Sequence, residues 1–414
     1  MTESSKQANT SASLWQRILL ILIGTAVAIG IVGGVLIIFP EWVGLDPSAR
    51  GEAGTTLEVE FRLSDGDYFF YQQGRVRPPE EDTLLASYTI SWGEDGFRVP
   101  AIQADSYPIV AFGDSFTEGT TVAEPWVDLL AIDLDTPIKN YGYRGYGPHE
   151  IAVVAENYLN PDEQQSWILY AHFSGNDLDN ANRAVDDALI LRNPFEQMAW
   201  LTRQATGGSD NARIVESPDG EYDYPMPVII GSSFYEIALL EDLLWWQVAP
   251  EDGFLGTGTF NIVADALDTI DTNAPSDACR AVIFVPSKEQ IYYPYIHEDV
   301  RQWVRGIARQ PVVNSRGTIL LEDAPLSAED EADFIASLDD QRDALRTLAE
   351  QEGWLFIDLL EPFQQAALER GLAGESLLYY QYDGHWSPAG HQLATEIIAD
   401  FMRENAENCP LEVN

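Results

Sequence analysis

Residues 109–119, IVAFGDSFTEG, decide how the rest of the chain is read. The apolar run Ile109 to Phe112 has the length of a buried strand and passes straight into Gly113, Asp114 and Ser115. A strand that ends on a glycine and a small hydroxyl residue delivers the chain to a loop at its C-terminal end, where open α/β sheets place their chemistry. Ser115 then stands at the mouth of a crevice. It is a nucleophile only if a base reaches it from elsewhere in the chain.

Outward from this strand the pattern recurs. Apolar runs at 107–113, 137–142, 166–173, 279–286 and 353–360 alternate with helical periodicity in EPWVDLLAIDL (124–134), HEIAVVAENYL (149–159) and the closing PAGHQLATEIIADFMREN (388–405). Such alternation predicts a parallel sheet with helices on both faces. Short alternating segments at 57–63 and 85–92, split by SDGD (64–67) and EDG (94–96), predict a small β-rich extension over 57–105 ahead of a main domain over 106–408. No internal repeat is visible. Residues 177–278 form a long insertion that holds YPMPVIIGSS (224–233) and EIALLEDLLWWQV (236–248), the latter read as an amphipathic helix. An insertion of this length is either a cap over the substrate or padding.

The totals narrow the function. With 67 acidic and 23 basic residues and a formal charge of −44, most of the surface repels a polyanion, so nucleic-acid binding is excluded. Residues 18–39 are 22 uncharged, mostly apolar positions, about 33 Å as a helix. Lys6 and Arg17 precede this run and Glu41 and Asp46 follow it. The positive-inside rule therefore predicts a cytoplasmic tail over 1–17, an uncleaved transmembrane helix over 18–39, a linker over 40–56 and everything beyond outside the cytoplasm, at the cell membrane. Cys279 and Cys409 have no CxxC spacing and no histidine companion, so no metal site is expected. They form either a disulfide between the C-terminal tail and the start of a core strand, or two buried thiols.

A serine hydroxyl needs a base to take its proton, and the base needs a group that fixes its tautomer. Of five histidines, His385 lies in YDGHWSPAGH (382–391), before a helix that Ser387 can cap with Pro388 in its first turn. Asp383, two residues earlier, reaches the imidazole if the loop turns tightly. Acyl transfer also needs donors for an oxyanion. NYGYRGYG (140–147) offers the amide of Gly145 and HFSGNDLDN (172–180) offers Asn176, each just beyond a strand. His391, inside the last helix, and His172, at a strand end, read as core residues, and His149 and His297 carry no signal.

These four segments resemble, in order, the four blocks of the SGNH, or GDSL, hydrolase superfamily. GDS matches the first with Ser115, NYGYRG the second with Gly145, GND the third with Asn176, and DGH the last with Asp383 and His385. The resemblance covers roughly 105–405. It implies a three-layer, flavodoxin-like parallel sheet and an ester hydrolase or acyltransferase in which Ser115 attacks, His385 is the base and Asp383 orients it. The oxyanion hole it implies is made by the amides of Ser115 and Gly145 and the side chain of Asn176. The family usually spaces Asp and His three apart, whereas here they are two apart, which leaves Asp383 less secure than His385. GDSFTEG is also not the G-x-S-x-G elbow of the α/β-hydrolases, because Thr117 replaces the second glycine.

Asp114, Tyr146, Lys288 and Trp386 flank the donors and the base and are the candidates to touch substrate; Tyr146 and Trp386 read equally as core or rim packing, and Lys288 has a substrate carboxylate or Glu289 as its alternative partners. The chemistry calls for no metal or organic cofactor. The substrate expected from the resemblance is an acylated cell-surface carbohydrate or another ester. The competing readings are a lipid-ester hydrolase and a non-catalytic cell-envelope binding module with a vestigial site.

Overall fold

The computed structural model describes residues 14–38, 50–68, 81–192 and 226–411. The tail ahead of residue 14, the linker up to residue 49 and the 193–225 part of the insertion lie outside the described residues. In chain order the strands are β1 (Thr56–Arg62), β2 (Leu84–Ser91), β3 (Ile109–Phe112), β4 (Ile138–Asn140), β5 (Trp167–Phe173), β6 (Met226–Ile230), β7 (Ser233–Ile237), β8 (Cys279–Val285), β9 (Arg309–Val313), β10 (Ile319–Asp323) and β11 (Leu355–Asp358).

Five of them form one sheet in the order β11-β8-β5-β3-β4, and every neighbour pair is parallel. Counted along the chain this is the 2-1-3-4-5 order of flavodoxin-like sheets, which reverses direction between β3 and β5. All residues of β3 and β5 are buried. A strand covered on both faces needs an unbroken apolar run rather than an alternating one, and Ile109–Phe112 and Trp167–Phe173 supply it. The cover comes from helices that pack in pairs, Trp126–Asp133 on Pro388–Glu404 and Pro148–Tyr158 on Gly258–Asn273. Because the sheet is wholly parallel, the loops after β3, β4, β5 and β8 leave from one edge.

The extension is the antiparallel pair β1–β2, with Phe61, Tyr88, Ile90 and Trp92 buried against Val122 and Tyr380 in a small core of its own. Between β5 and β8 the described part of the insertion packs into the main domain. Helix Gly258–Asn273 belongs to the layer over the sheet, only Glu241–Trp245 of the predicted amphipathic segment is helical, and Trp245 and Trp246 are buried in the main core. The hairpin β6–β7 packs on helix Leu360–Ala373, where Gly371 lets Ile230 approach: a Cβ there would meet it at 2.5 Å. Cys279 and Cys409 form a disulfide that ties the start of β8 to the C-terminal tail.

The chain divides into two units, 1–46 with 184–214 and 47–183 with 215–414. Within the first, residues Leu14–Ile38 form a 25-residue helix with Trp15, Leu19, Leu20, Ile21 and Ile31 exposed. Some of its side chains are outside the description, and among the described residues no helix is long and apolar enough to cross a membrane.

Candidate active site

The loop after β3 turns at once into the short helix Ser115–Glu118. Asp114 caps it, its Oδ1 accepting the Phe116 N–H at 2.9 Å. Gly113 and Gly142 are sites of close approach: a Cβ would come to 2.1 Å of Thr117 Oγ1 from the first and 2.6 Å of Thr117 Cβ from the second. Glycine at both positions lets the β4 loop lie directly on the helix that carries the serine.

His385 arrives in the loop after helix Leu360–Ala373. Its Nε2 is 2.7 Å from Ser115 Oγ, and its Nδ1 is 2.7 Å from Asp383 Oδ1. The same oxygen accepts the His385 backbone N–H at 2.7 Å. The two-residue spacing is thus sufficient, because an aspartate that turns the chain on its own carboxylate also meets the ring. With Nδ1–H donating to Asp383, Nε2 is left to accept the serine proton. Phe116 packs on the imidazole at 4.9 Å between ring centroids.

The electrostatics favour an imidazolium. Burial alone would lower the pKa of His385, but the carboxylates of Asp383 and Asp67 outweigh it and hold the ring well above its ordinary value. Burial would raise Asp383, yet His385 and the N–H groups of Asp67 and His385 keep it below the usual carboxylate range. Asp114, buried beside the serine, is pushed up to about 6 by desolvation.

The loop after β4 is bound to the helix Ser115–Glu118 at several points. Asn140 Nδ2 donates to Thr117 O at 2.7 Å, the Tyr143 N–H to Gly113 O at 3.2 Å, and the Arg144 N–H to the buried Glu118 carboxylate at 2.8 Å. Gly145 is exposed with φ +79°, a left-handed position suited to glycine, and a Cβ there would meet nothing. Asn180 joins this loop to the one after β5 by donating to Gly145 O at 3.4 Å and Tyr146 O at 3.1 Å. One helical turn before it stands Asn176, half-buried, whose Oδ1 is buried without a hydrogen-bond partner among the described residues. Ser115, Gly145 and Asn176 therefore belong to three loops that are hydrogen-bonded to one another around the end of β3.

The candidates for substrate contact fare differently. Lys288 is fully buried and uses its ammonium on the carbonyls of Tyr380 and Gln381, both at 2.8 Å, and of Asp383 at 3.3 Å. It braces the loop that carries Asp383 and His385 and offers nothing to a ligand. Glu289, the alternative partner, instead accepts the Leu240 N–H at 2.8 Å. Asp114 is buried in its cap, Tyr146 is buried against Tyr143, and Trp386 is buried between Phe116 and Phe363. All four side chains are thus buried. Ser387 begins the last helix without a side-chain cap, because its hydroxyl donates to Leu377 O at 2.8 Å.

His391 accepts the Trp126 N–H at 3.2 Å and His172 lies 3.1 Å from Tyr170 Oη; burial drives each down to about 3 and keeps both neutral core residues. Sequence reasoning missed Asp67, whose Oδ2 lies 3.3 Å from His385 Nδ1, and the Glu118–Arg144 pair at 2.8 Å. SDGD was legible only as a turn. Asp67, Asp383 and His385 bring donor atoms within 4.8 Å of one another, close enough for a metal. Their hydrogen bonds already commit His385 Nδ1 to Asp383 and Nε2 to Ser115, so the set fits a proton relay better than a metal centre.

No protein-family model and no curated protein matches the chain. Among solved structures, it is similar to an extracellular lipase from Streptomyces rimosus at 11% identity, covering 71% of this chain and 99% of that one with a TM-score of 0.36. A member of the lipolytic protein G-D-S-L family from Veillonella parvula is similar at 12% identity, 71% and 97% coverage and a TM-score of 0.32. A catalytic mutant of an acetylxylan esterase from Geobacillus stearothermophilus follows at 10% identity, 73% and 95% coverage and a TM-score of 0.32. At these TM-scores nothing about chemistry is taken from them, and the reading rests on the site's own geometry.

Proposed function

We propose that this protein is a serine esterase of SGNH type, and the observation that carries the reading is the continuous path Ser115 Oγ, His385 Nε2, His385 Nδ1, Asp383 Oδ1, with 2.7 Å at both contacts. Ser115 Oγ attacks the ester carbonyl while its proton passes to His385 Nε2. The resulting oxyanion is held by the amides of Ser115 and Gly145 and the NH2 of Asn176. Its collapse expels the alkoxide, which takes the proton from His385. Water, deprotonated by the same nitrogen, then attacks the acyl-enzyme and releases the acid and free Ser115; a sugar hydroxyl in place of that water would make the reaction a transfer.

The substrate we propose is an O-acyl group on a cell-surface carbohydrate. Its support is the resemblance of the four sequence blocks. We propose as well a tethered position, with residues 18–39 as a single membrane span, the N-terminus in the cytoplasm and the sheet domain outside, from the uncharged run and the charges that flank it. A serine-reactive phosphonate is expected to label Ser115, and p-nitrophenyl acetate to be hydrolysed; Ser115→Ala and His385→Ala remove both. Absence of labelling and turnover in the folded wild type would leave only a binding module. Deleting residues 1–44 is expected to move the activity from the membrane to the soluble fraction.

A further inference from the structure

Asp67 comes from the β-rich extension, 316 residues from Asp383 in sequence, yet its backbone N–H donates to Asp383 Oδ2 at 3.0 Å. Its own Oδ2 lies 3.3 Å from His385 Nδ1. Two further features hold the segment there. The Tyr68 N–H donates to Tyr382 O at 3.2 Å. A Cβ on Gly66 would come to 2.1 Å of that same carbonyl oxygen, so the two backbones touch only because residue 66 is glycine.

The side chains of the two aspartates are placed differently: Asp383 is 4% exposed, whereas Asp67 is 36% exposed. We infer that Asp67 is a second positioning carboxylate for His385, and that the extension carrying it completes the proton relay instead of merely leading into the domain. The inference rests on the proposed function for its kinetic part and on geometry for the rest. Asp383 takes the Nδ1 proton, and Asp67 adds a second negative charge beside the imidazolium that forms as Ser115 attacks. The other charged groups facing this cluster are Lys288, under the loop, and Asp114, next to the nucleophile. Burial raises Asp67 to about 6 against the pull of His385, so the second charge is in place at neutral pH and above.

Full-length protein carrying isotope-labelled histidine, titrated by NMR as wild type, Asp67→Asn and Asp383→Asn, tests this, alongside the pH profile of kcat/KM on p-nitrophenyl acetate. Asp67→Asn keeps the size and the backbone N–H while removing the charge. It is expected to lower the His385 pKa by about one unit. The acid limb of kcat/KM then moves to lower pH by the same amount, because an imidazolium with one neighbouring anion fewer gives up its proton sooner. On the pH-independent plateau above the His385 pKa, kcat falls about tenfold with KM unchanged, as for a loss felt only in the transition state. Gly66→Ala, which forces the segment away with its carboxylate intact, gives the same direction of change, and Asp67→Glu restores part of it. If Asp67→Asn titrates like wild type at His385 and its pH profile superimposes, the segment is a tether and the inference is overturned. If the wild type neither turns over nor is labelled, the esterase reading fails while the His385 titration still decides the place of Asp67.

Discussion

At the scale of the residue, one oxygen of Asp383 accepts both the backbone N–H and the ring N–H of His385. That double use fixes the tautomer in which Nε2 accepts the serine proton. The raised His385 pKa has a direct kinetic sign. Only the neutral ring takes a proton, so kcat/KM is expected to climb with pH through the His385 pKa, with its midpoint above the roughly 6.5 of a free imidazole. A profile already flat below that value would mean that the two carboxylates do not act on the ring. Asn176→Ala is expected to lower kcat by about 10²–10³ with an unchanged acid limb, as measured against p-nitrophenyl acetate, because it removes the proposed oxyanion donor and no charge. An unchanged kcat would remove Asn176 from the oxyanion hole.

At the scale of the element, the site depends on loops held by buried polar groups. Lys288 binds three carbonyls of the His385 loop, and Arg98 donates to the carbonyls of Gly119 at 2.6 Å and Glu118 at 3.1 Å behind the nucleophile helix. A second brace is covalent. The Cys279–Cys409 disulfide closes a separation of 130 residues and pins the last helix, which follows His385, to the start of β8. Replacing both cysteines by serine is expected to cost about 2–5 kcal/mol, read as a lower denaturation midpoint, with kcat at low denaturant unchanged. A midpoint equal to the wild type would show that the tail is held by packing alone.

At the scale of the whole molecule, the charge dominates. A formal −44 on 414 residues sets the folded surface against itself, and salt screens that repulsion over about 10 Å at 0.1 M. Tm is therefore expected to rise from low salt to about 1 M sodium chloride. A fall would mean that the surface ion pairs, such as Arg403–Asp133, outweigh the self-repulsion.

The sequence by itself determined the parallel sheet and the places of Ser115 and His385. A strand buried on both faces must be apolar throughout, and the chemistry of such a sheet gathers where its strands end. It also marked the two cysteines and the structural place of His391 in the last helix. Only the tertiary structure showed that Lys288, Asp114, Tyr146 and Trp386 are buried, because a polar or aromatic residue near a motif reads alike whether it faces a ligand or is buried. Nor was Asp67 legible. Its place depends on Gly66 meeting the backbone of Tyr382, a contact between segments more than 300 residues apart that no local spacing encodes.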